Sequence, residues 1–214
     1  MPAIKASGEY GNYWYWESSN SRNVLTLEQM QTNALYFYGK CENEYGWSLN
    51  AISAMLGNIR HEGIMNPAQW QYGFTVGNPK AGYGLCQWTP ATNLLEWAES
   101  TGRNRLSMDC AIERIKYELD SGIQYYPTTK YPLKFSEFVV SNEAPEYLAL
   151  CWLHNYERPK NPESTEQIRK DSANYWYEYL SGEDPPDPPD PPDPPGPTLL
   201  KGMPIWMYPG FRKN

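Results

Sequence analysis

The chain has 214 residues and a mass of 24.7 kDa, room for one good-sized domain or one domain with an appendage. Its net charge of −7 and pI near 4.9 argue against nucleic acid as the main partner. No run of about 18 apolar residues is present, so no membrane span is expected, and no basic stretch leads into an apolar run, so no signal peptide is expected.

Residues 1–25 show no helical period but hold Tyr10, Tyr13, Trp14, Tyr15 and Trp16. They read either as an extended arm packed on the domain or as a contact surface for another protein, with packing preferred. A first helix is predicted from about Thr26 to Cys41, with Leu27, Met30, Ala34, Leu35 and Phe37 on its apolar face. A second follows the N-cap Ser48 and carries Leu49, Ile52, Met55, Leu56 and Ile59 at spacings of three and four. Extending that stripe by three residues reaches Glu62. A carboxylate on the buried side of a helix end is costly unless it is paired or protonated. Apolar surroundings that raise its pKa equip such a group to donate a proton near neutral pH. From helix geometry alone, an exposed helix-end glutamate is the plainer reading.

Residues 63–88 are Gly-rich and irregular. Asn66-Pro67 turns the chain away from the helix, because the residue before proline avoids helical geometry. Gly73, Gly77, Gly82 and Gly84 suit a loop or short hairpin. Thr89-Pro90 is predicted to open a third helix, threonine capping and proline first, filled by Leu94, Leu95, Trp97 and Ala98 and stopped by Gly102. A fourth runs from about Ser107, with Met108, Ile112, Ile115 and Leu119 on one side, to Asp120-Ser121-Gly122. After a loop over Ile123–Tyr131, a short helix from Ser136 precedes a longer one at about Glu143–Glu157. The stripe of that helix is Leu148, Cys151, Trp152 and Asn155, and Pro159 and Pro162 break it. Ser164-x-x-Gln167 reads as a capping box for a last helix ending at Gly182. About seven helices with little strand make the domain over 26–182 mainly all-α.

Beyond Gly182, over 183–197, Asp-Pro-Pro repeats begin at Asp184, Asp187, Asp190 and Asp193. They predict a polyproline II spacer of roughly 40 Å with its aspartates along one edge. Residues 198–214 are too few for a core, yet Leu199, Leu200, Ile205, Trp206, Met207, Tyr208 and Phe211 are too apolar for a plain tail. They read either as a docking peptide or as a sticky, disordered end.

Four cysteines, Cys41, Cys86, Cys110 and Cys151, lack CxxC spacing, which excludes a recognisable zinc motif and leaves buried free thiols as the expectation. With no HExxH, GxxxxGK or GxGxxG, neither a metal nor a nucleotide cofactor is expected. Cys86 with His61 or His154 offers a thiol-peptidase pairing, a minor alternative because neither histidine stands in a motif of such enzymes.

Several short motifs stand in a telling order: Leu56-Gly57-Asn58, then Glu62, Asn66-Pro67, Gly84-Leu85-Cys86-Gln87-Trp88 and Tyr156-Glu157-Arg158-Pro159. This series resembles lysozyme-like peptidoglycan-cleaving domains, and most nearly the phage tail lysozyme family, related to soluble lytic transglycosylases and goose-type lysozymes. The resemblance spans roughly 26–181. It implies a lysozyme-like helical fold whose irregular segment after Glu62 walls a cleft. It also implies a muramidase that cuts the β-1,4 MurNAc–GlcNAc bond of bacterial peptidoglycan without a cofactor. Glu62 is then the catalytic acid, Gln87 with Trp88, Tyr83 and Tyr156 the substrate-binding set, and Glu157 a supporting carboxyl. Trp88 reads either as stacking on sugar or as a packing residue, with packing slightly preferred, and Tyr156 also as a group that orients Glu62. Glu96, Glu99, Asp109 and Glu157 are the candidates for a second carboxylate. Gly63 departs from the Ser that many relatives carry. The implied setting is a virion tail, or the host wall after release, with residues 198–214 docking onto phage tail proteins. Intramolecular transfer in place of hydrolysis, and a non-catalytic virion or wall-binding module, are the alternatives.

Overall fold

A computed structural model describes residues 3–19 and 25–183. The Asp-Pro-Pro spacer and the apolar peptide 198–214 lie outside the described residues. Two short antiparallel strands, β1 (Ile4–Gly8) and β2 (Gly11–Tyr15), precede α1 (Leu27–Tyr45) and α2 (Leu49–Glu62). An irregular segment leads to α3 (Thr92–Ser100) and α4 (Met108–Ser121). Next come α5 (Phe135–Phe138), α6 (Pro145–Trp152), a π-helical turn at Leu153–Glu157, a 3-10 turn at Pro162–Ser164 and α7 (Glu166–Ser181). The protein is mainly helical, as the periodicity predicts.

Helix α2 is the axle. Ser48 caps it by accepting from Ala51 N at 3.1 Å, and all ten residues from Ala51 to Arg60 are buried. A helix hidden on every side lies inside the fold rather than on its surface. It packs on α6 and α7. Gly57 allows that closeness, because a Cβ there would sit 2.7 Å from Ala173 N on α7. Arg60 and Asn58 are buried along with its apolar residues, and the Asn58 amide donates to the Ala54 and Ala149 carbonyls at 3.0 Å each.

The structure bears out the preferred packing of the N-terminal segment and corrects three other expectations. The N-terminal segment is a β-hairpin packed on α1, its Tyr13 ring buried and edge-on to Tyr36. Helix α1 runs on past Cys41 to Tyr45, since no breaker intervenes before Gly46, which closes it in the left-handed conformation. Thr89-Pro90 does not start α3: that peptide bond is cis, the helix begins at Thr92, and its N-cap Ala91 has no side-chain cap. Nor does Ser164 form a capping box, because its hydroxyl donates to Asn161 O at 2.8 Å within the 3-10 turn, and α7 starts without a side-chain cap.

The long helix expected up to Glu157 is α6 followed by one π turn. The wider turn rotates Tyr156 and Glu157 away from the positions that α-helical geometry gives them. Arg158 closes it with φ of 51°.

Candidate active site

Glu62 is the last residue of α2, and the chain after it bends sharply. Ile64 and Met65 have φ of 51° and 57°, values that β-branched and bulky residues adopt only under constraint. Asn66 supplies the constraint. Its Oδ1 accepts from Trp16 N at 3.1 Å and from Ala68 N at 3.1 Å, and its Nδ2 donates to Trp16 O at 2.7 Å. Asn33 on α1 does the same one register away, accepting from Trp14 N and donating to both Trp14 O and Met65 O, at 2.6, 2.7 and 2.8 Å. Among the described residues five non-glycines have positive φ, and four of them (Ile64, Met65, Gln87 and Arg158) flank Glu62, the wall and Glu157. Backbone strain gathered in this way marks a functional site.

The wall rises from two short paired segments. Trp70 bridges Tyr83, which bridges Trp88, and Gly84 N donates to Gln69 O at 2.8 Å. Its inner end is pressed against Gly63, where an added Cβ would lie 2.6 Å from Gly84 O and 2.7 Å from Leu85 O. Only glycine fits there, which explains the departure from Ser.

The Glu62 carboxylate is a quarter exposed, at 25 %, and Oε1 meets Arg169 Nη2 at 2.5 Å. Arg169, buried on α7, also donates to Asn58 O at 2.5 Å, so both ends of its fork grip the last turns of α2. Glu157 stands nearby, with Oε1 accepting from Trp152 Nε1 at 2.8 Å. Withdrawal from water, then the charge of Glu62, push the Glu157 carboxyl well above the usual carboxylate range, with Arg169 pulling the other way. A carboxyl so placed ionises at a cost, and Glu157 holds its proton to higher pH than a free carboxyl does.

The sign of this shift sets a pH dependence of stability. The folded chain keeps the Glu157 proton that the unfolded chain releases at about pH 4.3, so the contribution of this group is intact below that pH and is lost toward neutrality. Glu157→Gln, which still accepts from Trp152, is expected to melt with wild type near pH 4 and above it near pH 7. The gap grows by about 2–4 °C for each kcal/mol recovered. Thermal melts at the two pH values check this, and equal gaps at both would refute it.

The remaining expected site residues are held in the packing and hydrogen bonds of the wall and the π turn. Tyr83 is fully buried, its ring 4.6 Å from Trp70 and its hydroxyl bonded to Arg105, so it shapes the wall and presents no face to a sugar. Trp88 is buried and donates from Nε1 to Glu118 at 2.8 Å, the packing role. Tyr156 does not orient Glu62: buried on the π turn, it donates its hydroxyl to Glu118 Oε2 at 2.5 Å. Gln87 is half-buried, and its Nε2 donates to Gln69 O and Gly84 O at 3.0 Å each, fastening the wall. Of the second-carboxylate candidates, Glu96 and Glu99 are exposed on α3 and Asp109 accepts from Tyr36 at 2.9 Å. Of these four, Glu157 is the one whose carboxyl is raised by the charge of Glu62.

Sequence reasoning missed two residues. Arg169 falls on the buried stripe of α7 with Ser172, Ala173 and Trp176, and Glu118 on that of α4 with Ala111, Ile112 and Ile115. Glu118 also takes Arg114 Nε at 3.0 Å, and its burial raises its carboxyl despite Tyr156 and Arg114. A charge on a helical core stripe is the signal for both, since such a charge is tolerated only with a partner.

The thiol alternative has no geometry behind it. Burial, then the carboxyls of Glu157 and Glu118, push the Cys86 thiol well above its usual range, so it stays protonated. His61 meets Ser172 Oγ at 2.7 Å and is driven down to about 3 by burial, then by Arg169 and Arg60, while His154 meets Glu166 at 2.8 Å. All four cysteines are free and buried. Among the described residues no helix is long and apolar enough to cross a membrane.

The chain is similar to Morphogenesis protein 1 of Bacillus phage B103, at 39 % identity over 164 residues, 76 % of this chain and 43 % of that protein. It thus spans less than half the length of that relative. Residues 32–180, which include α2, the wall, the π turn and most of α7, match the family described as phage tail lysozyme. On that match, and on the order in which its motifs meet around Glu62, the chain belongs to the phage tail lysozyme family.

Proposed function

We propose that the protein cleaves the β-1,4 bond between MurNAc and GlcNAc in bacterial peptidoglycan. It is carried by a phage, either in the tail to open the wall at infection or as a free lysin at release. The carrying observation is the paired carboxyls at the foot of the wall: Glu62, partly open to solvent and gripped by a buried arginine, beside Glu157 in its drier place. Breaking a glycosidic bond needs a proton for the leaving oxygen and negative charge near the positive sugar carbon. The proton held in the pair passes through Glu62 to the leaving oxygen, and the carboxylate charge left on the pair faces the positive sugar carbon. The hydroxyl that then attacks that carbon returns a proton to the pair. Bond cleavage by carboxyl chemistry uses no cofactor.

The test is mass spectrometry of purified peptidoglycan digested by wild type and by Glu62→Gln. Glycan fragments are expected from wild type alone, with at least about a thousandfold less release by the variant. Reducing ends among the products mean hydrolysis, and anhydro ends mean intramolecular transfer. Fragments from both proteins would remove Glu62 from the acid role. The name of the phage B103 relative favours a second reading, a virion or wall-binding module that keeps the fold without the activity. Release by neither protein would establish that reading. Docking of residues 198–214 onto phage tail proteins belongs to the tail version of this proposal.

A further inference from the structure

The wall carries a feature that neither the acid pair nor the packing uses. Between Gln71 and Gly82 the chain leaves the paired segments as a loop, and no residue from Tyr72 to Lys80 is buried. Its base is rigid: Gln71 N donates to Gly82 O and Gly82 N to Gln71 Oε1, both at 2.8 Å, beneath the Trp70–Tyr83 bridge. Gly73 and Gly77, with φ of 82° and 87°, turn the chain in the left-handed region. Within this window stand Tyr72, Phe74 and Val76, exposed by 44, 41 and 45 %. Among the described residues neither ring pairs with another aromatic. Lys80 is the sole charged residue of the loop.

Apolar rings held open to water on a fixed base mark a binding surface. The opposite end of the same paired segments presses on Gly63, next to Glu62. About five residues of reach put the loop tip no more than about 17 Å beyond its base. That span suits sugars of one strand that extend past the bond being cut. Flat rings offer apolar faces to the C–H faces of pyranose rings, and the Lys80 ammonium suits the carboxylates of peptide stems.

We propose that Tyr72 and Phe74, with Lys80 beside them, form a subsite for the uncleaved part of the glycan strand, remote from the scissile bond. This rests on the peptidoglycan reading given above. The subsite anchors the polymer, and the carboxyl pair acts on a bond that the anchor has brought into the cleft.

The first experiment separates binding from cleavage. Full-length Glu62→Gln and the same protein with Tyr72→Ala and Phe74→Ala are sedimented with purified sacculi. Loss of both rings is expected to weaken binding roughly tenfold, and the aromatic replacement Phe74→Tyr in place of Phe74→Ala to recover part of it. In the cleaving protein, the two alanines are expected to raise KM on long glycan strands and leave kcat in place. That defect shrinks as the strands are trimmed to fragments that fill only the cleft. Unchanged sedimentation would overturn the subsite, as would an equal defect on long and short strands, which would make the loop a part of the wall's shape. Binding to protein-free anionic vesicles that falls with the two alanines while sacculus binding holds would assign the rings to a lipid surface instead. Should wild type cleave nothing while the alanines still weaken sacculus binding, the cleavage reading fails and the subsite stands.

Discussion

Arg169→Met is expected to lose about 3–5 kcal/mol of stability, on the order of 10 °C or more in melting temperature, along with wall cleavage. Methionine occupies a similar volume, so packing between α2 and α7 is largely kept and the loss reports charge. What disappears is the counter-charge of Glu62 and the fork that binds Asn58 O and Glu62 Oε1 together. What stays is a pair of carboxyls, one of them pushed up by burial and then by the charge of the other. Leaving half of a buried ion pair behind costs far more than the pair contributes when whole. Acidification, which removes carboxylate charge, narrows the deficit, so melts of the variant and wild type converge toward low pH. Arg169→Lys keeps the charge without the fork and falls between the two. A deficit under about 1 kcal/mol at neutral pH, or one that grows on acidification, would show that Arg169 does not hold the acid pair in place.

The second large effect belongs to a residue with no side chain. Gly63→Ala places a Cβ 2.6 Å from Gly84 O, 2.7 Å from Leu85 O and 3.0 Å from Leu85 Cα, all of them backbone atoms. No rotamer change relieves a clash with main chain, so the wall or the end of α2 shifts. A cost of about 1–3 kcal/mol is expected, with a larger fall in cleavage than the stability change explains, because the wall moves relative to Glu62. Gly63→Ser adds an oxygen to the same clash. In this chain the serine of the family pattern is therefore the disruptive residue. Steady-state cleavage of purified peptidoglycan measured beside a denaturant melt separates the two effects, and a variant with wild-type values in both would show the wall to be compliant.

Helix positions were legible where one local rule decided them. Ser48 and Ser107 cap α2 and α4, Gly122 and Gly182 close α4 and α7, and each does so in the structure. The hairpin was illegible because aromatic rings occupy both faces of β2, Tyr13 and Tyr15 on one and Trp14 on the other, which hides the two-residue period. The π turn at Leu153–Glu157 was equally hidden, since the stripe through Leu148, Cys151, Trp152 and Asn155 fits an α-helix. For the site, the order of short motifs brought forward Glu62 and Glu157, which act on each other electrostatically in the fold. It also brought forward Tyr83, Trp88, Gln87 and Tyr156, which hold the wall and the π turn. Motif membership does not distinguish a side chain that faces the cleft from one that faces the core. Arg169 escaped because its partner is 107 residues away in the chain, a pairing that only tertiary structure creates.

The seam between β2 and the turn after Glu62 makes the hairpin a buttress. Asn33 and Asn66 each take the N–H and the C=O of one tryptophan backbone, as a neighbouring strand does, and Asn33 also ties down Met65 O. Beyond Trp16 the same strand direction continues, with Ser18 paired to Gln69 and Trp70 N donating to Ser18 O at 2.8 Å. One edge thus runs from the first residues described to the root of the wall. Fraying that begins at the amino-terminal ribbon travels along this edge to the left-handed residues behind Glu62. The backbone that holds the acid is therefore only as firm as the docking of this ribbon.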